Sequence, residues 1–500
     1  MRRLLLSCCL LAFAGLALAQ SDARFAALER NATAAIDAGR SPSLAVAVVA
    51  DGRIVYERAF GYADVAARRA ATVDTAYALA SATKPITATA VLQLAERGRL
   101  DLDAPASRYL GPLKLHSLAR RGAAPSVSQL LAHTAGLPTY AQLYYGEDIA
   151  TAPTFARSVA RYGVLVQPPG RIAEYSNLGY GLLGAIVERR SGMAFGDYLR
   201  REVFAPLGMD HAFVGSPAAP DADLAVAYDA QDRPLPPLYN DTPGAGNVHA
   251  SARDLIRFAR FHLDPGSAES VLGAAGVQRM QRNADPGALQ HYYGSSYYGL
   301  GWYVRDDDGG ERVVWHEGGM PGASTIIKLL PARGIGVVVL ANKTEINDLT
   351  QALADEALRA LVPGYAPAAL DPTANYSPYT AQTTFLGGWQ GEVHVSGRRL
   401  QCRLDFGDDG TVRIEYAGAQ GKPVSAVFKG IVYGDSFVGA AQLQLPLAGQ
   451  RGAAAPLLLV KLLRSGGVLQ GALVAYAAPA RLDYLLPFYA RFTRRVSAPR

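Results

Sequence analysis

The pattern of apolar positions in the first part of the chain changes between helix and strand periods. Two apolar runs typical of strands flank Asp51-Gly52, a sequence that favours a tight hairpin turn. A later helix is followed by Gly98, which is placed to end it. The elements predicted here are, in order, a helix, two strands and a helix, at 23–38, 44–49, 54–61 and 81–97.

Helical patterns dominate from about 127 to 261, and strand patterns return after that. Ser251 and Asp254 form an acidic variant of the capping box that opens one of these helices. The later elements are four strands and a closing helix, at 299–304, 313–315, 324–330, 335–340 and 349–361. Strands at both ends with helices between them predict an α+β domain over residues 22–362, in which the sheet joins distant segments.

The composition changes after this domain. Residues 363–382 are rich in Pro, Ala, Tyr and small polar residues, which indicates a linker. Further on, an alternating apolar run at 400–406, a turn at Asp409-Gly410 and a second alternating run follow one another. The pattern predicts a small all-β domain over 383–497, either an antiparallel barrel or a sandwich.

The first twenty residues have the pattern of a secretory signal peptide. Arg2 and Arg3 precede an apolar run at 4–16, and Ala17-Leu18-Ala19 fits the small-x-small cleavage pattern. We therefore predict a signal peptide at 1–19, cleavage after Ala19 and a periplasmic or secreted protein. An uncleaved anchor is the weaker alternative because the apolar run is short for a membrane span. No transmembrane span is expected in the mature chain.

Composition and charge exclude some classes of function. Half of the 500 residues are apolar and 18% are charged, which is typical of packed domains and not of disordered chains. The formal charge of +6 is spread over many arginines without a long basic run. We therefore expect no nucleic-acid partner.

Ser81 and Lys84 form a chemically unusual start to the predicted helix at 81–97. A serine that begins a helix is best followed three residues later by Glu or Gln, and the helix dipole disfavours a cation in the first turn. The positions that continue the stripe of Lys84 along the helix are apolar, so its side chain should point inward. Burial would lower the pKa of Lys84, and a neutral amine one turn from a hydroxyl can act as its general base.

Two further motifs accompany this pair. Tyr175-Ser176-Asn177 lies before a helical run, and His316-Glu317-Gly318-Gly319 lies before the strand predicted at 324–330. In this order the motifs resemble the Ser-x-x-Lys, Tyr-x-Asn and Lys/His-x-Gly motifs of penicillin-recognising serine hydrolases. The resemblance is to the class C β-lactamase and D-alanyl-D-alanine carboxypeptidase branch, which includes family VIII-type esterases and D-amino-acid amidases.

The resemblance extends beyond the motifs to roughly residues 25–360, but not to the C-terminal β domain. It implies a β-lactamase/transpeptidase-like fold, with an antiparallel sheet flanked by helices and a helical subdomain. It also implies chemistry that needs no cofactor and no metal. Other segments that resemble the family lie at 98–103, 130–138, 168–170, 206–209, 252–255 and 337–342.

The catalytic residues that the resemblance implies are Ser81, Lys84 and Tyr175. Ser81 would be the nucleophile that forms an acyl-enzyme, and Lys84 would take its proton as a neutral amine. Tyr175 would stand across the cleft and relay the proton to the leaving group. The structural alternative is a helix cap at Ser81, a surface lysine and a core tyrosine.

The substrate-binding residues that it implies are Asn177, His316, Gly318 and Gly319. Asn177 would hold Lys84 and a substrate amide through its two-sided hydrogen bonding. His316 and Gly318 would lie on the strand against which an extended substrate adds, and the N–H groups of Ser81 and Gly319 would form the oxyanion hole. A helix cap at Asn177 and a packing role for His316 are the structural alternatives.

Two histidines, His133 and His316, bear on the type of enzyme that the sequence predicts. His133 suggests a Ser-His-Asp site, but the chain contains no Gly-x-Ser-x-Gly elbow. β-Lactamases of the branch usually carry lysine where this chain has His316, and a histidine is only partly charged near neutrality. The His-x-Gly form looks more like the carboxypeptidases, esterases and amidases, so efficient β-lactam hydrolysis is not expected.

The sequence therefore predicts an exported serine hydrolase that cleaves an amide or ester, such as a D-amino-acid peptide or a small ester, through an acyl-enzyme on Ser81. The expected partners are a small-molecule or peptide substrate, with cell-wall peptides as one candidate. A carboxylesterase or weak β-lactamase is the alternative among enzymes. The alternative from another class is a non-catalytic protein that binds peptidoglycan peptides or penicillin.

Overall fold

The computed structural model describes residues 22–117, 124–215, 223–290, 293–371, 373–395, 397–418, 421–446, 457–477 and 482–495. The predicted signal peptide at 1–19 and the last residues of the predicted β domain, 496–497, lie outside the described residues. Within these ranges, no helix combines the length and the apolar character that a membrane crossing requires.

The described residues contain helices and strands in both parts of the chain. The helices are α1 (Ala26–Asp37), α2 (Thr83–Glu96), α3 (Ser107–Leu110), α4 (Val127–Leu131), α5 (Phe155–Tyr162), α6 (Asn177–Ser191), α7 (Phe195–Leu199), α8 (Ala205–Leu207), α9 (Pro243–Gly246), α10 (Ala252–Leu263), α11 (Ala274–Met280) and α12 (Asn347–Leu361). The strands of the first domain are β1 (Ser43–Ala50), β2 (Arg53–Asp64), β3 (Arg69–Ala70), β4 (Tyr77–Ala78), β5 (His116–Ser117), β6 (Ala141–Tyr145), β7 (Val164–Leu165), β8 (Phe213–Val214), β9 (Leu238–Asn240), β10 (Val248–Ala250), β11 (Tyr297–Tyr298), β12 (Tyr303–Asp308), β13 (Glu311–Met320), β14 (Ala323–Leu330) and β15 (Ile335–Ala341). Those of the C-terminal part are β16 (Ser377–Pro378), β17 (Gly387–Val395), β18 (Arg398–Phe406), β19 (Val412–Ala417), β20 (Pro423–Phe428), β21 (Gly430–Tyr433), β22 (Ser436–Gln442), β23 (Leu457–Ser465), β24 (Val468–Ala477) and β25 (Tyr484–Arg494).

An antiparallel sheet lies at the centre of the first domain, in the order β11-β12-β13-β14-β15-β1-β2-β3. β1 pairs with β2 through the hairpin at Asp51-Gly52. On its other side β1 pairs with β15, nearly three hundred residues later, with Leu44 opposite Ala341. The prediction that the sheet joins distant segments of an α+β domain is confirmed.

Strand β1 is buried on both faces, which explains its continuous apolar sequence. Leu44, Val46 and Val48 share a core with α1 and α12 on one side of the sheet. Ala45 and Ala47 belong to the core that α2 and α10 form on the other side. An alternating polar pattern would leave polar side chains without hydrogen bonds inside one of these cores.

The C-terminal β domain is an antiparallel sheet in the order β16-β21-β22-β23-β24-β25-β17-β18-β19-β20. The sheet curls so that β20 lies beside β22, and it encloses a core that includes Trp389, Phe406 and Phe437. This confirms the predicted all-β region. Strand β16 falls inside the predicted linker at 363–382, so this sheet begins earlier than the composition indicated.

A strand of the first domain extends the sheet of the second. Ala141 and Gln142 on β6 pair with Leu485 and Tyr484 on β25. β9 pairs with β6 in turn. Pairing across the two domains fixes the segment around Tyr140, which lies beside the candidate site.

Candidate active site

Ser81 lies on a tight turn that precedes helix α2. Residues Ala80–Ala82 form a single 3-10 turn, and α2 begins at Thr83, two residues later than the pattern predicted. Ala80 has a φ of 46°, a left-handed conformation that is strained for a residue with a side chain. Ser81 therefore does not cap the helix, and its hydroxyl is available to Lys84.

Lys84 is fully buried, as predicted. Its Nζ atom lies 3.0 Å from Oγ of Ser81 and donates to the carbonyl oxygen of Ala245 at 2.9 Å. Burial lowers the pKa of Lys84 well below its usual value. The amine is thus placed to be neutral and to accept the proton of the Ser81 hydroxyl.

Tyr175 lies next to both residues. Its ring centroid is 4.6 Å from Nζ of Lys84, and its hydroxyl has Ser81 as a hydrogen-bonding neighbour. Burial raises the pKa of the Tyr175 phenol above its usual value, and the hydrogen bond with Ser81 opposes this only in part. A protonated phenol here can donate a proton to an atom bound at Ser81.

Asn177 is close to the site but contacts a different partner from the one expected. It is the first residue of α6, after the N-cap Ser176, and its Nδ2 donates to the carbonyl oxygen of Tyr140 at 2.9 Å. Among the described residues, the protein partners of the Lys84 amine are Ser81 and Ala245. The expected bond between Asn177 and Lys84 is therefore replaced by the bond from Lys84 to Ala245.

His316 is buried beneath the site, in strand β13. Its Nδ1 donates to the carbonyl oxygen of Glu317 at 2.7 Å, so its Nε2 accepts from the hydroxyl of Tyr298 at 2.8 Å. Burial lowers the pKa of His316 to about 3. The imidazole is neutral near pH 7 and presents no positive charge to a substrate carboxylate.

Gly318 allows β13 to touch the turn of the nucleophile. A Cβ atom at this position would lie 2.1 Å from the carbonyl oxygen of Leu79. Any side chain would therefore push the strand away from Ser81. Gly319 follows at the same edge, where an added Cβ would meet Oδ1 of Asn347 at 3.3 Å.

The end of β13 has one free edge among the described strands. β14 pairs with it as far as Met320, whereas the pairing with β12 stops at Trp315. No described strand pairs with residues 316–320 on the β12 side, where an extended substrate could add as a further strand.

His133 contacts residues 174–176, the Tyr175 segment, and the sequence patterns did not indicate this contact. Its Nδ1 accepts a hydrogen bond from the backbone N–H of Ser176 at 3.1 Å. Its carbonyl oxygen accepts a hydrogen bond from the backbone N–H of Glu174 at 2.9 Å. Its ring lies against the ring of Tyr175, with centroids 4.4 Å apart. The φ of His133 is 61°, which turns the backbone and the ring toward the same segment.

The C-terminal β domain also contacts the Tyr175 segment, through Glu174. Nζ of Lys461 lies 2.7 Å from Oε1 of Glu174 and 2.8 Å from Oγ1 of Thr139. Nε2 of Gln167 donates to the carbonyl oxygen of Gln470 at 2.6 Å. The residue before Tyr175 is therefore held by both domains.

Two cavities flank the site. One has a volume of about 270 Å³ and lies beside Ala78, Gly246 and Met320, on the side of the Ser81 turn. The other has a volume of about 240 Å³ and lies between the domains, beside Glu174 and Tyr175. In the described ranges, no group of three His, Cys, Asp or Glu side chains is arranged to hold a metal ion.

Comparisons with known proteins agree with this geometry. The Beta-lactamase family model matches residues 27–361. Protein flp of Staphylococcus aureus (strain NCTC 8325 / PS 47) is 29% identical over 318 residues, which are 61% of this chain and 60% of that protein. Penicillin-binding protein 4* of Bacillus subtilis (strain 168) is 27% identical over 387 residues, 71% of this chain and 82% of that protein. The chain thus spans about 60% of the length of the flp proteins that it matches.

Two solved structures share the fold. The octameric penicillin-binding protein homologue from Pyrococcus abyssi aligns with a TM-score of 0.58 and 23% identity. SurE, crystallised with D-Leu, aligns with a TM-score of 0.62 and 23% identity. Each alignment covers 93% of this chain and 99% of the other, and so includes much of the C-terminal β domain. With the family model matching most of its length, the chain belongs to the Beta-lactamase family of penicillin-binding-protein-like serine hydrolases.

Proposed function

We propose that this protein is an exported serine hydrolase that cleaves an amide or ester through an acyl-enzyme on Ser81. The observation that carries the proposal is the 3.0 Å contact between Nζ of Lys84 and Oγ of Ser81, with the lysine buried so that its neutral form is favoured. Export rests on the signal pattern at 1–19 and on the relation to penicillin-binding protein 4*.

Acylation proceeds in three proton transfers. Oγ of Ser81 attacks the substrate carbonyl carbon while Nζ of Lys84 takes the hydroxyl proton. The N–H groups of Ser81 and Gly319 stabilise the oxyanion. The Tyr175 phenol protonates the leaving atom as its bond to the carbonyl breaks, and Lys84 returns a proton to Tyr175. Water then attacks the acyl ester by the reverse route and regenerates the Ser81 hydroxyl.

The substrate class follows from the charge of the site. Because His316 is neutral, the β13 side of the cleft attracts a carboxylate less than a lysine would. This favours small esters, D-amino-acid amides and D-amino-acid peptides without a free carboxylate at that point over β-lactams. The D-Leu in the SurE structure supports a D-amino-acid substrate, and the apolar cavity beside Met320 suits the carboxylesterase alternative.

Covalent labelling tests the proposal. The mature protein and its Ser81→Ala variant are incubated with a fluorescent penicillin and with a fluorophosphonate, and the added mass is measured. Label on the native protein that is absent from the variant supports an acyl-enzyme. No Ser81-dependent label with either probe would sink the proposal. A panel of small esters, D-Ala-D-Ala peptides, D-amino-acid amides and nitrocefin then separates the enzyme classes.

A non-catalytic binder of peptidoglycan peptides or penicillin is the alternative from another class. Such a protein would bind a D-Ala-D-Ala peptide without releasing product. The panel therefore distinguishes it from an enzyme, because binding without Ser81-dependent turnover of any substrate supports the binder.

A further inference from the structure

The cavity between the two domains opens directly beside the catalytic tyrosine. Tyr175 and Ile172 line it from the first domain, and Ile431 and Val438 line it from the β domain. Its volume of about 240 Å³ is below the roughly 300–1000 Å³ of pockets that hold whole drug-sized ligands. A space of this size and apolar lining suits one side chain of a larger substrate.

The position of Tyr175 decides which part of the substrate faces this cavity. The phenol gives its proton to the leaving atom in the proposed reaction, so the group attached to that atom lies beyond Tyr175 as seen from Ser81. Tyr175 is itself a lining residue of the interdomain cavity. The cavity beside Ala78 and Met320, which Tyr175 does not line, is left for the acyl group.

The charges at the cavity indicate what the leaving group carries. Glu174 and Lys461 are its charged lining residues, and they pair with each other at 2.7 Å. The ammonium group of Lys461 also donates a hydrogen bond to Oγ1 of Thr139. A carboxylate entering here would meet an ammonium that Glu174 already neutralises, whereas an uncharged aliphatic group would pack against apolar lining side chains such as Ile172, Ile431 and Val438.

We propose that the interdomain cavity is a leaving-group subsite, built by both domains, for an uncharged aliphatic group about as large as a leucine side chain. The inference rests on the proposed acyl-enzyme function. It gives the β domain a role in substrate choice, because Ile431 and Val438 form one wall of the subsite.

Acetate esters of different alcohols test the subsite, since the acyl group stays the same. Methyl acetate, 3-methylbutyl acetate and 3-acetoxypropanoate are compared by titration of the released acid. The alcohol parts of the last two esters share a two-carbon chain. This chain ends in an isopropyl group in 3-methylbutyl acetate and in a carboxylate in 3-acetoxypropanoate. We expect kcat/KM for 3-methylbutyl acetate to exceed that of the other two by about tenfold, as burial of a leucine-sized group implies.

A variant that fills the cavity gives the decisive comparison. Val438→Trp should remove the preference for 3-methylbutyl acetate, measured as the ratio of its kcat/KM to that of methyl acetate. Val427→Trp is the matched control, because Val427 is 51% exposed on the same domain and does not line the cavity. It should keep the preference. Thermal unfolding of both variants reports whether they fold, and Val438→Ala, which enlarges the cavity, should keep or increase the preference.

The outcomes separate this inference from the function on which it rests. Ser81-dependent hydrolysis without a preference among the esters, or a preference that survives Val438→Trp, contradicts the subsite alone. Loss of activity on all esters in a folded Val438→Trp also contradicts it. Absence of Ser81-dependent hydrolysis and of covalent label contradicts the proposed function itself.

Discussion

Nζ of Lys461, in the β domain, lies 2.7 Å from Oε1 of Glu174, 287 positions earlier in the chain and next to Tyr175. Both side chains are mostly buried, with 28% and 18% of their surfaces exposed. An ion pair of this kind, partly shielded from water, holds its partners more firmly than a pair on the open surface. The position of Tyr175 therefore depends on how the β domain is docked.

Replacing Lys461 with methionine should impair catalysis on every substrate. The change keeps the aliphatic stem but removes the ion pair with Glu174, so the Tyr175 segment loses this contact with the β domain. We expect kcat to fall by about tenfold, with KM changed little. A tenfold fall corresponds to a loss of about 1.4 kcal/mol of transition-state stabilisation. The exposed Lys422 of the same domain gives the control, Lys422→Met. Equal effects of the two variants on kcat would contradict this role for Lys461.

Lys84 should make the fold less stable at neutral pH. Burial lowers its pKa in the folded state, so the unfolded chain binds one proton more over the interval between the folded and the unfolded pKa. Stability should therefore rise with pH across this interval, by up to about 1.4 kcal/mol per pH unit from this group. Lys84→Met should abolish activity, raise the free energy of unfolding near pH 7 and make its pH dependence shallower. Denaturant unfolding at several pH values measures this, and a variant less stable than the native protein at pH 7 would contradict it.

The same lowered pKa sets the pH dependence of activity. The amine must be neutral to take the proton of Ser81, so kcat/KM should fall as the pH falls through the pKa of Lys84. His316, with a pKa of about 3, should add no inflection between pH 5 and 8. An inflection near 6.5 that disappears in His316→Gln would show instead that His316 titrates in the working range.

His133 should act by positioning Tyr175. His133→Ala removes the acceptor for the Ser176 N–H and the ring beneath Tyr175, and we expect kcat to fall by about a hundredfold, as misplaced catalytic groups do. Asparagine tolerates a positive φ and can accept an N–H, so His133→Asn should recover part of the loss. The shape of the pH profile should not change, because burial holds the pKa of His133 well below its usual value. Equal kcat values in the two variants would contradict the positioning role.

β-Lactams should be poor substrates. Both nitrogens of His316 are occupied by Tyr298 and Glu317, so the carboxylate of a penicillin meets no cation at this point. We expect benzylpenicillin to turn over slowly or to remain on Ser81 as a stable adduct, as mass spectrometry of the native protein and Ser81→Ala would record. Hydrolysis of benzylpenicillin or a cephalosporin with kcat/KM near 10⁶ M⁻¹s⁻¹ or above, the range of efficient enzymes, would overturn this expectation.

The sequence alone was sufficient for the outline of the fold and for the proximity of Ser81 and Lys84. Period and composition separated an α+β domain from an all-β region, because apolar spacing reflects local geometry. The spacing of Ser81 and Lys84 placed both on one side of a helical turn, and the apolar stripe predicted that Lys84 is buried. These properties depend on neighbours within a few residues, which a sequence pattern records directly.

Contacts between distant segments were decided only by the tertiary structure. The acceptor of Lys84 proved to be the carbonyl of Ala245, a backbone atom that carries no sequence signature. The support of Tyr175 by His133 and Lys461, and the burial of His316 under Tyr298, likewise depend on how separate elements pack. Side-chain type and spacing determine which chemistry is available, but the pKa values and partners of these groups follow from burial and docking, which no local pattern contains.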